Sequence, residues 1–259
     1  MNTLSVALDA LDVIDRLRAV DAKDVARLAV SMADVVGQLT PIEVTHEAGR
    51  YRLVSGAHRV AAARQLGWER IAAVLVEGSP DELRLHEIDE NLKRRELSPY
   101  DHSTFIFERV EVCQRLGIIP KEAGRRNSAN LALKTFAEEI AGKFGISRRL
   151  TFMSLRRRRN IDGAVWRQIA GTWLADNGAQ LDQLTRLQPD EQASVVSLLL
   201  GDGEERPKKV AQALKRVRGV ADLPSDRHAE AASKLLSQYL RLPAKQRRWV
   251  WSEIQKDNR

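Results

Sequence analysis

Every stretch of this chain that reads as a β-strand lies before Pro99, and beyond that residue the pattern is helical. A chain that alternates helix and strand and then continues in helices alone predicts an α+β protein: a small α/β domain followed by an all-helical one. In the first part, DVARLAVSMADVVG is a helical pattern ending at Gly37, and PIEVTHE and RYRLVSG read as strands joined by a Glu-Ala-Gly turn. AHRVAAARQL reads as a helix stopped by Gly67, and IAAVLV as a short buried strand. SPDELRLHEIDENLKR opens with a Ser N-cap, a Pro at the first helical position and acids in the first turn, and should leave the sheet. After Pro99, helical patterns fill the stretches from YDHSTFIFERVEVCQRLG to DEQASVVSLLL with short connections.

Four segments are expected. Residues 1–20 form an amphipathic arm with Leu8, Leu11, Ile14 and Leu17 at helix-like spacing, able to dock on its own domain or on a partner. Residues 21–97 form the α/β domain, 98–220 the helical domain, and 226–259 a last helical piece beyond the breaks GDGEERPKK and ADLPSDR. The polar loop 118–130 reads as a mobile tip or a DNA-contacting loop.

With 259 residues the chain can bury one large core or several small ones, and its single cysteine, Cys113, excludes an intramolecular disulfide and any Cys-based zinc cluster. A reducing, cytoplasmic setting follows as the expectation. No apolar run approaches the roughly 20 residues of a membrane span, and MNTLSVALDALDVIDRL carries acids where a signal peptide carries bases.

Lys plus Arg number 42 against 35 Asp plus Glu, a formal charge of +7, and the excess is concentrated. From Ile140 to Ile161 there is no acid, only Lys143, Arg148, Arg149 and the run Arg156, Arg157, Arg158, Arg159. A solvated helix face is the plain explanation of such a run; a polyanionic partner is the other. The text just before it favours the partner. AEEIAGKFGIS has a small residue, Ala141, followed four later by Gly145, as a helix-turn-helix requires, with Ile140, Phe144 and Ile146 as core. Ser147 then caps a helix that begins Arg148, Arg149 and would lie in the major groove of duplex DNA.

Arg148, Arg149 and Thr151 are the candidates for contacts to bases, with Lys143, Ser147 and Arg156 to Arg159 for the backbone. Consecutive residues step round a helix by about 100°, so the four arginines cannot all face one groove. The inward positions should be Thr151 and Ser154, whereas the apolar residues are Phe152 and Leu155, which leaves the register open.

LVSGAHRVAAARQLGW, residues 53–68, is a strand, a glycine and a helix that begins with two bases, His58 and Arg59. Cations are unfavourable at a helix N-terminus by about 0.3–1 kcal/mol, whereas an anion bound there makes them favourable. Arg59 paired with an acid of the 81–90 helix, with Gly56 only a turn residue, explains the stretch equally well. In HEIDENLKR, Glu87, Asp89, Glu90 and Asn91 offer oxygen ligands of the kind that hold a phosphate-bridging magnesium, although acids on a solvated helix are ordinary.

In their order, GQLTPIEV, YRLVSGAHRVAAARQLGWERIAAVLVE, DENLKRRELSPYD and then a helix-turn-helix, these motifs resemble the ParB family of chromosome and plasmid partition proteins over roughly residues 20–200. The resemblance implies a ParB/sulfiredoxin-like domain that binds CTP with Mg2+, and a helical domain that binds a centromere-like DNA site. It also implies a homodimeric clamp, closed by nucleotide and reset by weak CTP hydrolysis, and a nucleoid-associated protein with a ParA-type ATPase as a partner through the N-terminal arm. Carried over by position, Gln38 and Thr40 would lie near the base or ribose, Gly56, Ala57, His58 and Arg59 would cradle the triphosphate, and Glu90 with Asn91 would form the catalytic pair, Glu90 at the metal. The family usually has an acid and two arginines after the glycine, so Ala57 and His58 are departures that bear on hydrolysis.

Sulfiredoxin carries a cysteine where Ala57 stands, which removes its thiol nucleophile. Cys113 reads as core. Two other functions fit the same pattern: a nucleotide-independent transcription regulator, and a metal-dependent nuclease using Glu87, Asp89 and Glu90. Leu235, Leu236, Tyr239, Leu240, Trp249, Val250, Trp251 and Ile254 suggest a short dimerisation segment or packing on the helical domain. His46, His86, His102 and His228 read as surface or capping residues, and Trp166 with Trp173, seven apart, as one core-facing helical stripe.

Overall fold

One mixed sheet takes the order β1-β5-β3-β4-β2 in the computed structural model, which describes residues 3–14, 17, 20–34, 37–94, 96–120, 126–203, 206–219, 227–243, 246–247 and 249–251. Its strands are β1 (Thr3–Ala7), β2 (Leu11–Asp12), β3 (Ile42–Glu47), β4 (Arg50–Ser55) and β5 (Arg70–Leu75). β3 and β4 form the expected antiparallel hairpin, β3 runs parallel to β5, and β1 is antiparallel to β5 at one edge. β2 lies parallel to β4 at the other edge.

The first residues are therefore sheet, not a helical arm. Leu8 and Leu11, spaced as if on a helix, belong to a 3-10 turn (Leu8–Ala10) and to β2, and both are buried in the sheet's core, whereas Ile14 is exposed. The arm's backbone is spent on pairing with β5 and β4, so residues 3–12 give no basis for a free ATPase-docking arm.

Helix α1 (Ala22–Ala33) starts on Asp21, whose carboxylate accepts from the N–H groups of Lys23 at 2.8 Å and Asp24 at 3.1 Å. It ends short of the expected Gly37. With α2 (Ala57–Gln65) it supplies Val25, Ala29, Met32, Val60, Ala62 and Ala63 to one core with Ile42, Val44, Leu53 and Ile71 of the sheet. Each large apolar side chain fully buried there contributes about 1.5–3 kcal/mol.

Helix α3 (Pro80–Leu92) begins with the capping box that its sequence spells, Ser79 and Glu82 each satisfying the other's backbone. Its Ile88 and Leu92 sit in a second core with Phe105, Ile106 and Val110 of α4 (Pro99–Arg115), Phe136 and Ile140 of α5 (Arg126–Phe144) and Leu155 of α6 (Arg148–Asn160). The helix expected to close the first domain is thus packed into the helical half, while it also touches β4. Cys113 is buried in the same core, as expected.

A third core joins α7 (Gly163–Ile169), α8 (Gly178–Leu184), α9 (Pro189–Leu200) and α10 (Val210–Val217). Trp166 is buried in it, but α7 stops at Ile169, so Trp173 lies in the following turns and is exposed rather than sharing a helical stripe. Part of the expected 118–130 loop is helical, since α5 starts at Arg126. Helix α11 (Arg227–Arg241) follows; Leu235, Leu236 and Leu240 on it, and Trp249 and Trp251 beyond it, are exposed. Ile254 and the side chain of His228 lie outside the described residues. No described helix is long and apolar enough to cross a membrane.

Candidate functional site

The turn from β4 into α2 builds one wall of an open pocket of about 600 Å³. Gly56 has φ +108°, and a Cβ added there would meet Ile42 Cγ2 at 2.8 Å and Arg59 Cζ at 3.1 Å. Only glycine lets the backbone pass so close to β3 in that conformation. No side chain caps the N-terminus of α2, so its first-turn N–H groups face the pocket end of the helix.

The two bases after the glycine are held by backbone groups. The Arg59 guanidinium donates to the carbonyl of Thr40 at 3.0 Å and to that of Pro41. Burial lowers its pKa, opposed by the Glu90 and Glu43 carboxylates and reinforced by Arg94. His58 accepts at Nε2 from the Asp21 N–H at 3.2 Å, which fixes the start of α1 beside the start of α2.

Around that wall come Asp24, Arg27, Leu28 and Ser31 from α1, Thr40 from the loop before β3, and Arg94 just past α3. Arg27, Arg59 and Arg94 thus converge, with Arg27 paired to Asp24 and Arg94 to Glu90 at 3.3 Å. Of the residues expected here, Thr40, Gly56, His58 and Arg59 share the pocket; Ala57, the first residue of α2, is half-buried and does not line it.

Gln38 does other work. Its amide donates to the Ala72 carbonyl at 2.8 Å and accepts from the Ala72 N–H at 2.8 Å, extending the pairing of β5 ahead of the start of β3. Those groups hold the loop in place rather than reaching a base. Asn91 is buried and donates to the Glu87 carbonyl one turn back at 2.9 Å, so it faces its own helix and not the pocket.

The acidic run on α3 is divided among separate cations: Glu87 pairs with Arg84 at 2.9 Å, Asp89 with Arg109 at 2.8 Å, and Glu90 with Arg94. Successive residues of a helix point about 100° apart, which disperses them. Among the described residues no three His, Cys, Asp or Glu groups are placed to hold a metal, so the arrangement does not fit the acid-bound metal of a nuclease. Arg27, Ser31 and Arg94 were missed. The signals were present: Asp24, Arg27, Leu28 and Ser31 follow helical spacing on one face of α1, and Arg94 stands four residues after Glu90.

The second candidate surface lies on α5 and α6, joined by a turn in which Gly145 takes φ +69° and Ser147 caps α6 by accepting from the Leu150 N–H at 3.2 Å. Thr151 and Ser154 are the inward positions, both fully buried with Leu155 beside them, which resolves the register. Thr151 therefore cannot touch a base; its hydroxyl donates to the Ser147 carbonyl at 3.3 Å.

Arg157 also points inward, donating to Asp182 at 2.7 and 3.0 Å and to the Gly178 carbonyl at 3.2 Å, so it braces α6 on α8 instead of meeting phosphate. Arg158 is half-buried over the ring of Phe107 at 4.9 Å, and Lys143 pairs with Asp89 at 2.6 Å. Arg148 is exposed and paired with Glu138 at 3.1 Å. Arg149, Arg156 and Arg159 are exposed, at spacings that place them on one stripe of α6.

One helix serves both surfaces. Glu90 of α3 reaches the pocket's Arg94, while Asp89 next to it binds Lys143 of α5 and Arg109 of α4, and Arg109 also donates to Glu139 of α5 at 2.8 Å.

A sequence profile of the ParB N-terminal domain matches residues 2–92. The nucleoid occlusion protein of Bacillus subtilis (strain 168) is 38% identical over 69 residues, 26% of this chain and 24% of that protein. That of Bacillus thuringiensis (strain Al Hakam) is 31% identical over 114 residues, 40% of this chain and 38% of that protein. The chain thus matches well under half the length of these relatives. The solved Pnob8-like ParB-N domain aligns with 90% of this chain and 96% of its own, at a TM-score of 0.53 and 12% identity, a likeness of fold.

Proposed function

We propose, from the match of residues 2–92 to the ParB N-terminal domain, that the protein is a nucleotide-gated, site-specific DNA-binding clamp of plasmid or chromosome partition. The observation that carries this is the pocket, where four segments far apart in sequence, represented by Arg27, by Thr40, by Gly56 with His58 and Arg59, and by Arg94, bring three guanidinium groups around an uncapped helix start. Its volume of about 600 Å³ suits a nucleotide. The start of α2, Arg59 and Arg94 would hold the phosphates, and Gly56 would let them approach the backbone. CTP as the nucleotide follows from the family resemblance, since the amide of Gln38 is committed to β5.

Magnesium bound to a nucleotide takes most of its ligands from phosphate and water and needs one or two carboxylates from the protein. Glu90 fits that requirement alone, by exchanging Arg94 for the ion, and the ion would neutralise phosphate charge. Hydrolysis is not required for gating, and with Asn91 buried it would rest on Glu90.

DNA would lie along α6 of a helix-turn-helix formed by α5 and α6, against Arg149, Arg156 and Arg159, with Arg148 near the start of the helix. The nucleoid-occlusion relatives support a role at DNA. The path from pocket to DNA would be α3, through Glu90 on one side and Asp89 on the other. The exposed Leu235, Leu236 and Leu240 of α11 support self-association as a homodimer.

Thermal unfolding with CTP, ATP, GTP or UTP and Mg2+, with and without duplex DNA that the protein enriches from a genome, tests gating. CTP should raise Tm, more so with DNA, and Arg59→Ala should remove the rise while leaving initial DNA binding. No shift with any nucleotide sinks it. A second reading, a DNA-binding regulator without a nucleotide switch, is favoured by one observation: Arg59 and His58 already have backbone partners. A footprint indifferent to every nucleotide would support it.

A further inference from the structure

The outward stripe of α6 carries a single large apolar group among its arginines. Arg149, Phe152, Arg156 and Arg159 fall at spacings of three, four and three, on the face opposite the buried Thr151 and Ser154, and Phe152 is 43% exposed. Leu155 of α6 sits in the second core with Leu150 packed against it, whereas Phe152 stands on the outward stripe.

We propose that Phe152 reads a thymine: its ring contacts the 5-methyl group of one T in the major groove and so fixes a T·A pair in the bound site. This rests on the DNA-binding reading above. Phe152 is the fifth residue of α6 and lies in the N-terminal half, the part of a recognition helix that meets base edges. A phenyl ring has no donor or acceptor for a base edge, and the thymine methyl is the one apolar group the major groove displays.

The flanking charges select the partner. With no acid between Ile140 and Ile161, the stripe suits a polyanion, and two copies of it facing each other across a symmetric dimer would oppose like charges. The arginines would take phosphates or guanines, which carry no methyl information, so Phe152 would set sequence preference at its own position and they would set most of the affinity.

The test is selection of bound sequences from a random duplex library with the full chain, followed by replacing each thymine of the enriched site, one at a time, by deoxyuridine. One replacement should weaken binding by the wild-type protein about fourfold, the loss of one buried methyl group. Phe152→Ala should bind the thymine and uracil duplexes equally, and Phe152→Leu should keep part of the difference. Circular dichroism and Tm identify a folded variant, and the leucine variant provides the comparison if alanine perturbs α6. An enriched site with no deoxyuridine effect, or the same effect in Phe152→Ala, overturns the proposal alone. Failure to enrich any sequence overturns the DNA-binding reading and this proposal with it.

Discussion

Arg59 shows how a charge that looks misplaced in a sequence finds partners in three dimensions. At the start of α2 a cation opposes the helix dipole, yet its guanidinium reaches the carbonyls of Thr40 and Pro41 and lies in the field of Glu90 and Glu43. That arrangement depends on Gly56, whose left-handed turn brings the helix start against β3. Gly56→Ala should cost about 1–3 kcal/mol from the backbone conformation alone, and the overlap with Ile42 adds to it. A lowered urea midpoint with an unchanged m-value would show this, and a wild-type midpoint would refute it. The glycine was legible from the strand-to-helix junction. Arg27 and Arg94 were not tied to it, because nothing local links α1, α2 and the end of α3.

At the scale of elements, α3 is the joint between the two halves. Its capping box fixes where it starts, and its buried Ile88 and Leu92 tie it to α4, α5 and α6. Asp89, with 12% of its side chain exposed, neutralises Arg109, with 3% exposed, and Lys143. Removing one partner of a buried pair costs about 3–5 kcal/mol; Arg109 would keep Glu139, so Asp89→Ala should fall at the lower end. Its Tm should drop clearly, whereas Glu90→Ala, at the half-exposed pair, should change stability little. Equal effects of the two would mean that Asp89 is not the anchor. The helix and its cap were legible in the sequence; that the acids of HEIDENLKR serve four different cations was not, since only packing decides which way each turn faces.

For the whole molecule the arginines of α6 give a sharp division. Arg149 on the stripe and Arg157 in the interior are the same residue type on one helix, yet each phosphate contact should contribute about one counterion to the salt dependence of DNA binding. Arg149→Ala should therefore flatten the slope of log K against log salt by about one, with an unchanged Tm. Arg157→Ala should lower Tm, by orphaning Asp182 and loosening α6 on α8, with an unchanged slope in the protein that remains folded. The reverse pattern would mean that α6 docks by another face.

The sequence by itself determined what local physics controls: helices where the period and the caps agree, the β3–β4 hairpin, glycine at the two turns that need it, and the change from mixed structure to helices at Pro99. Tertiary structure decided whatever depends on distant partners. It made strands of residues 3–7 and 11–12, because pairing with β5 and β4 satisfies backbone groups that no local pattern announces. It brought Arg27, Arg59 and Arg94 to one pocket and turned Thr151 and Arg157 away from the surface, because the face a helix buries is chosen by the core it packs against.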